Sequence, residues 1–426
     1  MDHYPNIVHR VTNVKAAPAV FKDELMSHFQ PQLNEQRISE VSDLLSRIRQ
    51  AAKVKFYGGG AESRDDLTEI GLCGYGIKAG GVGVSDQDDV PFPAASCSNK
   101  SSKFSGGRRR PLIVGEVTSI GVGHPNFSVP LAKYLFEGDI LLTPVQANSI
   151  LVQLTQENEL AARRQERSSL RRKRAILTND QNLRWKTFPI QYDIDNSYSN
   201  DDRQAIQDAI SYWSQHTCLG ISYSPGVSNG DYVVIFPGNG CYSMVGRQGG
   251  KQSVSIGDGC VVSGVIAHEF GHALGLWHEQ SRPDADTYIR VLTNNILAGL
   301  LSNFLQRTWD TVDSFGVPYD YGSVMHYDST SFSFDGQSDT IETLQPSYQR
   351  TIGQREHPSF YDVKIMNEAY CKDRCAADLD CNYGGYTHPG YCNQCLCPDG
   401  TGGYYCERNA EPRSCQCDYS MLIEIN

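Results

Sequence analysis

Three histidines, His268, His272 and His278, fall within eleven positions of a 426-residue chain that holds only 11 histidines, and Glu269 stands beside the first of them. A separation of four places His268 and His272 one above the other on the same face of a helix. Two imidazoles so placed can grip one metal ion, and nitrogen donors at about 2.0–2.1 Å suit zinc. A third histidine one helical turn further on would lie too far along the axis to complete a tetrahedron. The chain must therefore leave the helix and double back. Gly275 lies where it can, because glycine adopts positive φ without a Cβ clash. His278 then supplies the third nitrogen and one position stays open to water. Glu269 is placed to take that water's proton while the metal lowers its pKa and polarises a scissile carbonyl. The carboxylate then passes the proton to the leaving nitrogen. Three histidines, one glutamate and one glycine at these offsets would arise by chance roughly once in 10⁴ chains of this length.

The spacing H-E-x-x-H-x-x-G-x-x-H is the metzincin pattern, which is paired with a downstream methionine turn. That turn is present in "DYGSVMHYDSTSFS", where Met325 lies 47 residues after His278. Met325 is expected to pack as an apolar floor beneath the imidazoles.

Several elements must hold these residues in place. Segment "DDRQAIQDAISYWSQHTCLGISYSP" reads as a helix followed by a strand, with Ala205, Ile206, Ala209, Ile210 and Trp213 as its apolar stripe and Asp201 or Asp202 as its cap. The runs "DYVVIFPG", "CYSMVGRQGG" and "QSVSIGDGCVV" read as strands broken by glycine turns. After the motif helix comes a less regular segment with a helical stretch near 290–306. This order of elements predicts an α+β domain. Upstream, Ile38, Val41, Leu44, Leu45 and Ile48 recur at helical spacing within 38–54. Residues 57–110 are rich in glycine and serine but carry neither nucleotide-phosphate motif, and so read as linker. Four consecutive basic residues, Arg171, Arg172, Lys173 and Arg174, end abruptly at apolar "AIL". That is how a secretory-pathway convertase site reads, with Ala175 as the new terminus.

The formal net charge of -11 argues against a nucleic-acid or anionic-membrane partner. No apolar run approaches the roughly 20 residues of a membrane span. Of 14 cysteines, nine lie between Cys371 and Cys417. Such a cluster reads as a disulfide framework formed in an oxidising compartment. The first residues, "MDHYPNIVHRVTNVKAAPAV", lack the apolar core of a secretory signal. A secreted protein with an incompletely recorded N-terminus reconciles the two, and the sequons at Asn99 and Asn126 fit a glycoprotein.

With these residues in hand, the chain resembles the astacin family of zinc endopeptidases. "HEFGHALGLWHEQSRPD" is similar to the family's zinc motif, "SVMHY" to its methionine turn and "TIGQREHPSFYDVKIMNEAYC" to the end of its catalytic domain. The resemblance covers roughly 175–371. It implies that Tyr327 is an additional zinc ligand at rest that swings to the oxyanion during catalysis. It implies that Glu279 pairs, through water, with the buried N-terminus of the mature enzyme. "YLFEGDILL" resembles the F-x-G-D motif of the family's propeptides, which makes Asp139 a zinc ligand that displaces the water. The same resemblance implies disulfides Cys218–Cys371 and Cys241–Cys260, and places extended substrates along 241–245. The pattern after Cys371 resembles an EGF-like module, implying Cys375–Cys392, Cys381–Cys395 and Cys397–Cys406. It lacks the acidic consensus for calcium. Arg350 and Arg355 lie where some family members place a basic primed-side residue.

Together these readings predict an uncertain N-terminal region at 1–104, a propeptide at 105–174, a peptidase domain at 175–371, an EGF-like module at 372–408 and a tail at 409–426. The fold expected is α+β and zincin-like, a twisted, mostly antiparallel sheet with an active-site helix. The function expected is a secreted endopeptidase with one zinc ion per chain, made as a zymogen and cleaved after Arg174, acting on extended polypeptides in extracellular or matrix proteins. A catalytically inactive matrix-binding protein is the rival. The presence of Glu269 with all three histidines and Tyr327 weighs against it. A matrix-type metalloprotease is disfavoured by Glu279 and by the lack of a cysteine-switch segment.

Overall fold

The computed structural model describes residues 18–57, 133–163 and 177–410. The glycine-rich linker, the sequons, the basic site Arg171–Ala175, Cys73, Cys97, Cys415, Cys417 and most of the C-terminal tail lie outside the described residues.

In chain order the N-terminal part forms helices α1 (Pro18–His28), α2 (Glu35–Tyr57) and α3 (Pro144–Arg163). The rest begins with strands β1 (Leu177–Thr178) and β2 (Gln191–Ile194), helix α4 (Asn200–His216), and strands β3 (Ser222–Tyr223), β4 (Tyr232–Phe236), β5 (Cys241–Ser243) and β6 (Lys251–Ile256). The motif helix α5 (Ser263–Leu274) follows, then β7 (Ile289–Val291), β8 (Val312–Asp313), β9 (Ile341–Thr343) and α6 (Phe360–Tyr370). Short hairpins β10 (Tyr386–Thr387) with β11 (Cys395–Leu396), and β12 (Thr401–Gly402) with β13 (Arg408–Asn409), complete the described chain.

The main sheet has the order β3-β2-β4-β6-β5. It is mostly parallel, which corrects the expectation of a mostly antiparallel one: β3, β2, β4 and β6 share a direction and only the edge strand β5 runs against them. The cause is connectivity. Helix α4 carries the chain back across the sheet after β2, so the next strands enter from the same end. Strand β5 is the return limb between β4 and β6 and so takes the opposite sense. The sheet and the helices meet in an apolar core containing Ile206, Ala209, Ile210 and Trp213 of α4 together with Val265, Ile266 and Phe270 of α5. Helix α4 is capped by Ser199, whose hydroxyl accepts from Asp202 N at 3.1 Å, rather than by either aspartate. The stretch near 290–306 forms strand β7 and 3₁₀ turns at Thr293–Asn295 and Ala298–Phe304 in place of an α-helix.

Helix α2 extends the expected 38–54 and buries Ile38, Val41, Leu44, Leu45, Ile48 and Ala52, several of them against Ile150, Leu151 and Leu154 of α3. Helix α1 caps the other side of the sheet edge. Phe21, Leu25, Phe29 and Leu33 join Phe236, Tyr242 and Met244 in a second apolar cluster. Residues 18–57, for which the sequence suggested no role, thus cover the edge of the sheet. All five implied disulfides are formed, Cys218–Cys371 across 153 residues, Cys241–Cys260, and three in the C-terminal module. Among the described residues no helix is long and apolar enough to cross a membrane.

Candidate metal centre

Helix α5 buries every residue from Gly264 to Leu274, as its near-continuous apolar sequence requires. Two indoles pin it: Trp213 donates to Ala267 O at 3.0 Å and Trp185 to Ala273 O at 2.9 Å. The helix ends at Gly275 with φ 114, and its N–H closes the last turn on His272 O. A side chain there would be strained by φ and would press on Leu177 and Thr178 at 3.2 Å, where β1 passes. The chain then reverses and delivers His278, as the spacing predicted.

All three histidines are fully buried. Their Nδ1 atoms face oxygens: Val324 O for His268, Leu276 O for His272 and Glu137 Oε2 for His278, each at 2.8 Å. Carbonyl and carboxylate oxygens only accept, so each Nδ1 carries a proton, and a ring that is neutral turns its Nε2 lone pair inward, as a metal requires. The Asp139 carboxylate enters the same space. Its oxygens stand 3.3 Å from His268 Nε2, 3.2 Å from His278 Nε2 and 3.6 Å from His272 Nε2, while the first and third Nε2 atoms are 3.3 Å apart. Three lone pairs and an anion converging without a cation would repel one another. Four ligands at about 2.0–2.1 Å in a tetrahedron have edges of about 3.3–3.4 Å. The group Asp139, His268, His272 and His278 therefore fits a zinc ion by both donor chemistry and spacing.

Asp139 reaches this position on a tight hairpin. Phe136 and Ile140 exchange both backbone hydrogen bonds, and the turn between them uses Glu137 at φ 52 and Gly138 at φ 91. A glutamate in the left-handed region costs roughly 1–2 kcal/mol. The hairpin is fastened to the sheet edge by Ser243 N donating to Asp139 O at 3.0 Å and Leu141 N donating to Ser243 O at 2.9 Å. The edge named as the substrate track is thus filled by this hairpin, running parallel to β5.

Glu269 is fully buried beside the metal group. Burial and the Asp139 charge push its carboxyl well above the usual range, against the pull of Arg355. Met325 is buried beneath α5, its sulfur close under Gly271. The Tyr327 hydroxyl donates to Glu137 O at 2.5 Å, so the hairpin holds it on a carbonyl, with its ring against His278. Glu279 is engaged by Arg282 at 3.1 Å and by Asp320 N at 2.7 Å. Burial pushes it up to about 8, with Arg282 opposing. Arg350 is exposed, whereas Arg355 lies close enough to feel the charges of Asp139 and Glu269. Its Nη1 donates to His326 O and Gln354 O.

Sequence reasoning missed Glu137, Arg282 and Arg307. Arg307 is buried between the rings of Phe136 and Trp277. Glu137 sits inside the quoted "YLFEGDILL", and a hairpin placing Asp139 on the metal necessarily brings its neighbours to the histidines.

Comparison with known proteins places this region in a described peptidase family. The family model described as "Astacin", a peptidase family, matches residues 177–371. The chain is 45% identical over 307 residues to "Zinc metalloproteinase nas-36" of Haemonchus contortus, covering 72% of this chain and 49% of that protein. It is 43% identical over 276 residues to "Zinc metalloproteinase dpy-31" of Teladorsagia circumcincta, covering 64% and 43%. Among solved structures it is similar to high choriolytic enzyme 1, a hatching enzyme zinc-protease from the medaka fish Oryzias latipes, with 34% identity, 46% of this chain and 98% of that one covered, and a TM-score of 0.42. The chain spans about half the length of the curated relatives it matches.

Proposed function

Since the chain belongs to the astacin family of zinc metallopeptidases, we propose that it is a secreted zinc endopeptidase held latent by its own propeptide and released by convertase cleavage after Arg174. The observation that carries this reading is the Asp139 carboxylate among the three imidazoles, in the position a catalytic water needs. When bound, a zinc ion held by His268, His272 and His278 would supply a Lewis acid and a more acidic water.

The protein's own residues do the rest. Once the hairpin leaves, Ser243 regains its N–H and C=O, and an extended peptide can take those bonds by adding a strand to β5. Glu269 accepts a proton from the attacking water as the oxygen bonds to the scissile carbonyl carbon. It then gives that proton to the amide nitrogen as the C–N bond breaks. Tyr327, freed from Glu137 O, turns its hydroxyl to the developing oxyanion. Arg355, whose Nε and Nη2 are buried and not hydrogen-bonded to the described residues, favours an acidic residue on the primed side. The disulfide-rich C-terminal module, read as EGF-like, points to targets in extracellular or matrix protein.

The test is turnover of a peptide library by convertase-treated protein, wild type against Glu269→Gln. The amide cannot accept the water's proton, so turnover should vanish while zinc stays near one per chain. A variant keeping more than a few per cent of turnover removes Glu269 as the base. Treated wild type that cleaves nothing removes the peptidase reading.

A further inference from the structure

The three metal-facing histidines are not held alike. His268 and His272 donate their Nδ1 protons to backbone carbonyls, Val324 O and Leu276 O, on the same side of the basic processing run as themselves. His278 donates to the carboxylate of Glu137 at 2.8 Å, across 141 residues and on the other side of that run. Both side chains are fully buried, so the bond is neither shared with water nor screened by it. Carboxylate partners on the outer nitrogen of a ligating histidine fix its tautomer and ring orientation and make it a better donor to the metal.

The backbone says that this side chain matters. Glu137 sits at φ 52, a conformation that glycine adopts freely and side-chain residues rarely do. A glycine does occupy the next position, at φ 91. The chain keeps glutamate at the strained position, where its carboxylate meets His278 and its carbonyl meets the Tyr327 hydroxyl. Two residues on, Asp139 supplies the fourth ligand oxygen. A single hairpin thus contributes both a ligand and the anionic partner of another ligand.

We propose that Glu137 is a positioning residue for the metal, and that the uncleaved chain is therefore the form that captures zinc, with the mature enzyme holding it more weakly. This rests on the reading of the site as a zinc centre. Removal of the propeptide takes away one ligand, Asp139, and the charged partner of another, and leaves the partners of His268 and His272 in place. Metal loading then precedes cleavage.

The experiment is zinc titration of the uncleaved, metal-stripped chain against a chromophoric chelator of known affinity, with visible spectra of the cobalt(II) form alongside. Glu137→Ala should weaken zinc about 10–100-fold. Glu137→Gln, whose amide oxygen still accepts from Nδ1 but carries no charge, should fall between Ala and wild type. The cobalt bands of the Ala variant should shift as the His278 ring loses its anchor. Processed wild type should bind zinc more weakly than uncleaved wild type by at least the loss seen in Glu137→Ala. Melting of the metal-free proteins checks that the variants fold. If Glu137→Ala does not fold, Glu137→Gln alone decides. Folded variants that bind zinc within twofold of wild type overturn the role of Glu137, and a processed enzyme that binds as tightly as the uncleaved chain overturns the loading order. Uncleaved wild type that takes up no stoichiometric zinc overturns the zinc-centre reading with it.

Discussion

Replacing Asp139 with alanine opens the metal position, yet the segment that carries it keeps its other contacts with the sheet edge. Its hairpin keeps the two backbone bonds to Ser243, each worth about 1 kcal/mol. Residues 18–33, helix α1 and the turn after it, add a larger anchor. Phe29 is fully buried, with its ring 6.0 Å from Phe236 and 5.8 Å from Tyr242. Glu24 accepts from Asn239 N at 3.0 Å and from the Tyr242 hydroxyl at 2.5 Å, and Gln32 donates to Gly249 O and Lys251 O. Truncating a buried phenylalanine costs about 3–5 kcal/mol. Charged wholly to docking, that raises the open fraction by about two to four decades. The protein to assay is the uncleaved chain with Arg171, Arg172, Lys173 and Arg174 changed to alanine, so that no processing contributes. Turnover of a quenched fluorescent peptide should be small for Asp139→Ala. It should rise at least about 100-fold, up to the ceiling of the mature enzyme, for Asp139→Ala with Phe29→Ala. Equal turnover in the two, with cooperative melting retained, would show that residues 18–33 contribute nothing to latency.

Two further outcomes are expected. In the processed enzyme, Tyr327→Phe should retain zinc and lose about 10²-fold in kcat, as for one oxyanion donor, and unchanged kinetics would take Tyr327 out of the mechanism. His326 is buried, with Nδ1 donating to Tyr327 O and Nε2 accepting from the Tyr319 hydroxyl, and burial pulls it down to about 3. Its folded value lies below the ordinary 6.5, so its contribution is complete above about pH 6.5 and is lost as pH falls towards 3, at about 1.4 kcal/mol per unit. Denaturant titrations at pH 7 and pH 5 should show this loss in wild type and a smaller one in His326→Gln. Parallel losses would show that His326 does not titrate on unfolding.

The metal site was legible because its chemistry demands fixed residue types at fixed offsets. His268, His272, Gly275 and His278 are bound by helix geometry and one reversal, and the structure ends the helix at a left-handed Gly275 and brings the three histidines together. The direction of the sheet was not legible. Each strand reads the same whichever way its neighbour runs, and only the path of α4 between β2 and β3 settles it. The cap of α4 went to Ser199 over Asp201 and Asp202 because the cap must precede the first helical residue, and one position cannot be fixed by composition. The work of residues 18–57 was hidden for a different reason. Their apolar stripe is local, but the surface it fits, Phe236, Tyr242 and Met244, is assembled by a remote sheet. Glu137 was in plain view and unread, because an outer partner of a histidine follows no spacing rule.

The reach of the segment formed by α1 and the turn after it has a consequence for the newly made chain. Its contacts join Glu24 to Asn239, Gln32 to Gly249 and His28 to Ser253, separations of 215, 217 and 225 residues. At synthesis rates of about 5–20 residues per second, roughly 10–45 s pass between the emergence of α1 and that of the strand edge it covers. Through that interval Phe21, Leu25, Phe29 and Leu33 have no sheet to pack on. This N-terminal segment begins its life as the exposed, aggregation-prone partner, and becomes the cover of the sheet edge only once that sheet has been made for it.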